Sequence, residues 1–361
     1  MKRIFKQNHS PLKFKFRQSK EDFIVSELPL WDTPTDKGNY FIALVQKQDL
    51  STLELLDILE EELQCFNIGY AGLKDKHATT TQYISVPLKF SKSLERLKHP
   101  RIKILQSFRA KEKLSIGDLK GNNFFIRLHE VNAQTASDLE DVIKEIQRHG
   151  MPNYFGYQRF GKDSGNFEKA RDVAQGELVM KDKKIHRIML HSYQSYLFND
   201  WLAKRIEISL DIETKDCEEL LVNMNISQDE CDLLKNQVGL LKILPGDIAY
   251  EYKTKKWINI SDIQKIRKPY KEHKIVPTGL LAGTKAWRAK LMAAEIEHHF
   301  DDLTVNAMGT RREAIVYPKS IRHEYKQKDK TFELSFNLPK GAYATVLLEN
   351  LANRDLTPGQ N

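Results

Sequence analysis

Ser51 and Glu54 stand three residues apart, and Leu55, Leu56, Leu59 and Leu63 recur behind them at helical spacing. The first pair is a capping box, each side chain satisfying a backbone N–H of the other at a helix start. The leucines share one face, so 52–64 reads as a helix with a single buried side. Such a face has to be covered, and the flanking sequence offers strands to cover it. Glu21–Glu27 and Tyr40–Gln46 precede the helix; 82–90, 101–110 and Gly121–Leu128 follow it. A second capping box, Ser137 with Glu140, heads Leu139, Val142, Ile143 and Ile146, and Gly150 ends that helix. Strands alternating with amphipathic helices predict an α+β protein with helices packed on a sheet.

From about residue 155 helices dominate, with one predicted from His186 to Arg205 and another from Thr284 to His299. Strand alternation returns at Phe332, Leu334, Phe336 and Leu338. The 361 residues, 40% of them hydrophobic, suffice for two domains, with boundaries near 155 and 306. A mean hydropathy of −0.53 and the lack of a long apolar run predict a soluble protein. The basic N-terminus has no apolar core of the signal-peptide kind, so a cytoplasmic location is expected. Cys65, Cys217 and Cys231 form no Cys-x-x-Cys pair, and reduced thiols are the simplest expectation.

Net charge is +8, which suggests a polyanionic partner, and its distribution is patched. Residues 92–120 carry nine Lys/Arg against three acids, and 253–274 carry eight against two. Residues 207–232 carry nine acids against Lys215 alone.

The stretch richest in chemistry is Gly69–Val86, GYAGLKDKHATTTQYISV, which runs from a glycine turn into a strand. Gly72 is expected to admit a backbone conformation that a side chain would forbid. Asp75, between Lys74 and Lys76, is expected to stay ionised, as suits a nucleophile or proton acceptor. By residue type alone the plainer reading, an ordinary solvated surface aspartate, is the favoured one. The stretch is no phosphate loop, because Gly-Lys-Ser/Thr does not follow at Walker spacing.

Gly72-Leu73-Lys74-Asp75-Lys76-His77-Ala78, with Gln82 following, resembles the signature of the TruD family of tRNA pseudouridine synthases. Three further blocks resemble the same family: Pro152–Gly161, His191–Asn199 and Leu338–Thr345, together with Arg311-Arg312-Glu313. Departures are local. Glu349-Asn350 stands where the family usually has Arg-Glu, and Leu281-Ala282-Gly283 where a Pro-Gly is commoner.

The resemblance implies a pseudouridine synthase fold, a mixed sheet flanked by helices, interrupted by a mostly helical insertion domain. The catalytic parts would be 1–154 and 307–361, with 155–306 inserted. It implies isomerisation of uridine to pseudouridine at position 13 in the D arm of tRNA, with no cofactor, no metal and no obligate protein partner. Asp75 would be the catalytic residue and Arg17 the cation paired with it. Phe23, Asn122, Phe124 and Tyr343 would hold the target base. Four of these have a plainer reading: Phe23 and Phe124 as core aromatics on strands, Asn122 as a turn residue, Arg17 as a surface charge. His77 is read as structural, and His298-His299 cannot share one helical face to hold a metal. A catalytically silent RNA-binding protein would lack Asp75 or Arg17. A methyltransferase would need a glycine-rich cofactor loop, and neither condition is met.

Overall fold

The computed structural model describes all residues except 1–2, 6–8, 18, 32–36, 77, 161–166 and 357–361, and of 184 the backbone only. His77 therefore lies outside the described residues. In chain order come β1 (Lys15–Phe16), β2 (Phe23–Pro29), β3 (Tyr40–Gln48), α1 (Thr52–Leu63), β4 (Gly69–Tyr70), β5 (Thr79–Pro87), α2 (Ser91–Glu95), β6 (Ile102–Ala110), β7 (Leu119–His129) and α3 (Ala133–His149). Then follow β8 (Met151–Pro152), α4 (Phe167–Gln175), α5 (Lys183–Thr214), α6 (Cys217–Met224), α7 (Gln228–Lys235), β9 (Ile248–Glu251), β10 (Lys256–Asn259), α8 (Ile263–Lys271), β11 (Ile275–Leu281), α9 (Leu291–Glu297), β12 (Thr310–Glu313) and β13 (Ile315–Val316). The chain closes with β14 (Lys319–Lys326), β15 (Thr331–Pro339) and α10 (Ala344–Ala352).

One compact unit comprises Lys13–Glu140 and Pro318–Gly341. Its mixed sheet runs β14-β15-β7-β2-β5-β3-β6, with β1 paired to β7 and β4 to β5. Within this sheet, among the described residues, only β2 and β5 pair in parallel. The capping box forms as expected: Ser51 Oγ accepts from Glu54 N at 3.1 Å, and Glu54 Oε2 from Ser51 N at 2.7 Å. Leu55, Leu56, Leu59 and Leu63 are buried against Ala43, Val45, Ile84 and Val86 of the sheet. Each such leucine contributes about 1.5–3 kcal/mol by leaving water. The second box does not form, because α3 starts earlier; Asn132 Oδ1 accepts from Thr135 N at 2.8 Å and Ser137 falls inside the helix.

The other unit comprises Met1–Leu12, Asp141–Tyr317 and Ala342–Gln360. Its limits fall inside α3 and after β13. The short pairing of β8 with β13 and the buried ion pair Arg3–Glu349 belong to it. Its long helix α5 exceeds the expected 186–205 at both ends. The helix expected from 284 shrinks to Leu291–Glu297, because Thr284 N and Lys290 N donate instead to Ala307 O and Gly246 O. A four-stranded sheet, β10-β9-β11-β12, also lies here; β9, β10 and β12 have four residues each, and β11 is buried on both faces and so shows no alternation. The expected reduced thiols are corrected: Cys217 of α6 and Cys231 of α7 are disulfide-bonded with Cα atoms 6.0 Å apart, a spacing that suits the bond. Cys65 is free and buried.

Candidate active site

Asp75 lies exposed on the loop between β4 and β5. The glycine this loop needs is Gly69, not Gly72. A Cβ on Gly69 would meet Ser85 Oγ at 2.4 Å and Leu114 O at 2.5 Å. At Gly72 the nearest atom would be Lys74 Nζ at 3.4 Å, and its φ is outside the left-handed region. The lysines flanking Asp75 are both engaged by other acids. Lys74 Nζ donates to buried Glu27 Oε1 at 2.5 Å, and Lys76 Nζ to Glu54 Oε1 at 2.5 Å. The Lys76 bond, with help from the cap, holds the Glu54 carboxyl down at about 2. The cation that touches the Asp75 peptide is Lys47, whose Nζ donates to Asp75 O at 3.1 Å and to Leu50 O. From the other side, Lys74 N donates to Thr52 Oγ1 at 2.7 Å, and Thr52 Oγ1 to Gln82 Oε1 at 2.9 Å. The loop is thus bonded to α1, β2 and β3 at once.

Directly paired residues of neighbouring strands share a face. Register lines up Phe336, Phe124, Val25, Thr80 and Lys47 across five strands. The next row holds Leu338, Asn122, Glu27 and, one step beyond the Ser26–Thr81 pair, Gln82. Phe23, opposite Ile126, lies on the same face. Asn122, Phe124 and Phe23 therefore share the face that carries the anchor of Asp75. Asn122 Oδ1 is buried with no hydrogen-bond partner among the described residues, as are Thr80 Oγ1 and Gln82 Nε2. Phe23 and Phe124 are buried, with centroids 6.1 Å apart, and Phe124 stacks on Phe336 at 5.4 Å. That packing equally fits their plainer reading as core. Arg17 follows β1 and is exposed; no hydrogen bond or ion pair among the described residues joins it to Asp75.

Tyr343 belongs to the other unit, at the start of α10. Its ring lies 6.3 Å from Phe155, and Gly156 leaves it room, since a Cβ there would meet Tyr343 Cδ1 at 2.7 Å. The blocks singled out in the sequence meet around it. Asn199 brackets Phe155 with two bonds of 2.8 and 3.0 Å, Arg312 Nη2 donates to Asn153 Oδ1 at 2.6 Å, and the Arg312 guanidinium lies 4.0 Å over Phe155. Burial lowers the Arg312 pKa to about 10.

At the β3–β6 edge of the first unit, Gln46, Gln48, His99, Pro100, Arg101, Ile102 and Lys103 line a cavity of about 300 Å³ with no carboxylate in its wall. His99 Nδ1 accepts from Arg101 N at 3.2 Å, so a neutral ring carries its proton on Nε2. Among the described residues no group of three His, Cys, Asp or Glu could hold a metal ion, and no helix is long and apolar enough to cross a membrane.

The family described as tRNA pseudouridine synthase D (TruD) matches residues 2–177 and 167–351. The tRNA pseudouridine synthase D of Wolinella succinogenes is 41% identical over 359 residues, covering 99% of each chain. That of Nitratiruptor sp. is 39% identical, again over 99% of each. A solved structure from Methanosarcina mazei, assigned to tRNA pseudouridine synthase D, superposes with a TM-score of 0.70 at 24% identity, over 98% of this chain and 96% of that one. Its fold is the one seen here. The chain belongs to the tRNA pseudouridine synthase D (TruD) family, and is by that membership an isomerase.

Proposed function

We propose that this chain converts uridine to pseudouridine in cytoplasmic tRNA, at position 13 in the D arm, with Asp75 as the catalytic residue. The observation that carries the reading is an exposed carboxylate on a loop bonded to three elements, anchored on the face that also holds the unpartnered Asn122 Oδ1. The target base leaves its stack. The N1–C1′ bond breaks, the uracil turns, and C5 bonds to C1′ while the C5 proton is released and N1 gains one. No group passes to another molecule, so the reaction as written requires no cofactor. Asp75 either attacks C1′, as carboxylates do in retaining glycosidases, or takes the proton at C2′. Asn122 Oδ1 is free to accept from the uracil N3–H, and its amide N–H to donate to a neighbouring uracil oxygen. Phe23, Phe124 and Tyr343 serve as apolar walls for the base, and Arg17 as a cation for Asp75 once RNA is bound. The catalytic part in this reading is 1–154 with 307–361, and the segment 155–306 is the insertion.

Asp75→Asn tests it. The amide can neither attack C1′ nor take a proton, so product should vanish, while tRNA binding stays within about twofold because phosphate contacts supply the affinity. Substantial pseudouridine from the folded variant would remove Asp75 from the chemistry.

A further inference from the structure

We propose that Lys47 is a positioning residue for this reaction: its buried ammonium holds the Asp75 peptide and thereby fixes where the Asp75 carboxylate stands. The proposal rests on the reading of Asp75 as catalytic.

Lys47 is fully buried on β3, opposite Thr80. A buried ammonium is costly unless hydrogen-bonded, so its retention inside a sheet calls for a reason. Its hydrogen bonds go to two backbone carbonyls, and no carboxylate among the described residues forms an ion pair with it. One carbonyl belongs to Leu50, which precedes the helix cap Ser51; the other belongs to Asp75. One ammonium therefore ties the entry of α1 to the reactive loop. Lys74 and Lys76 cannot do this, because Glu27 and Glu54 already hold them. The charged groups facing Lys47 are Asp75 and Lys74 from the loop and Glu54 from α1; Thr80 across the strand is uncharged. Burial outweighs the acids and brings its pKa down to about 8. Above that pH the neutral amine has one donor fewer and no charge with which to hold the loop.

The test measures single-turnover pseudouridine formation and tRNA affinity from pH 6.5 to 9.5, for wild type, Asp75→Asn and Lys47→Met. The wild-type rate should fall as pH rises through about 8. Lys47→Met should be slower at pH 7 by at least about tenfold, since a misplaced reacting group loses that much, and should lack the fall near 8. Its tRNA affinity should stay within about twofold, because binding rests on phosphates. A Lys47→Met rate close to wild type, or one that keeps the same alkaline fall, overturns the inference while an inactive Asp75→Asn leaves the functional reading intact. If Lys47→Met does not fold, the wild-type profile decides, and a flat rate from pH 7 to 9.5 overturns the inference. A wild type that forms no pseudouridine overturns the functional reading and this inference together.

Discussion

Gly69 and Gly72 sit three positions apart and meet different demands. Gly69 lies under Ser85 and the Leu114 carbonyl, with no room for a Cβ, whereas a Cβ on Gly72 would meet the end of Lys74, the Glu27 carboxylate and Leu119 no nearer than 3.4 Å. Gly69→Ala should cost about 1–3 kcal/mol, as overpacking does. Gly72→Ala should stay within about 0.5 kcal/mol. Denaturant unfolding of both variants checks this, and equal losses would contradict the difference in crowding. Lys47 adds a signed pH effect. Its folded pKa of about 8 lies below the ordinary 10.5, so between these values the unfolded chain holds a proton that the folded chain lacks. The burial penalty is complete below about 8 and is relieved as pH rises to 10.5. Wild type should therefore gain stability relative to Lys47→Met across that window; a constant difference from pH 7 to 10 would mean Lys47 does not titrate there.

Helix α1 and the strands that cover it are legible because period, cap and apolar face all agree in the sequence. The elements that differ from expectation lack one of these. Ser137 and Glu140 have capping-box spacing, but Asn132 caps first, and a helix already running has no use for a second cap. In the segment 284–290 the period suggests a helix while the backbone bonds go to other loops. The candidate site rests on Asp75, Asn122, Phe23 and Phe124, which carry the family pattern, yet Lys47 does not stand out in that pattern. Its sign is there all the same: Phe41, Ala43, Val45 and Lys47 share one inward parity, and a charge in such a row is out of place unless it has work to do. Cys217 and Cys231 are not legible as a pair, because their approach depends on how α6 and α7 pack, which spacing cannot tell. Alkylation of the unfolded, unreduced protein should label one thiol, Cys65, and all three only after reduction. Breaking the bridge should cost up to about 3 kcal/mol for a loop of this length.

For the whole molecule, the excess of positive charge makes a salt prediction. The logarithm of tRNA affinity should fall linearly with that of salt, with a slope of about −4 or steeper if several phosphates are neutralised. Arg101→Ala with Lys103→Ala, at the carboxylate-free cavity, should flatten it by about 0.7–0.9 for each phosphate that these two cations neutralise. An unchanged slope would exclude that cavity from the RNA path. The sheet itself has a consequence for synthesis. β7, with Asn122 and Phe124, pairs on one side with β2 and on the other with β15, where Phe125 meets Ser335, a separation of 335 − 125 = 210 residues. At about 5–20 residues per second, the ribosome delivers β15 roughly 10–40 s after β7 has emerged. Through that interval β7 is an open edge, with free N–H and C=O groups and an aromatic face for another nascent chain to join. A transcript that stops before residue 331 would leave the edge open for good, so its product should aggregate or be degraded rather than persist as a half-enzyme.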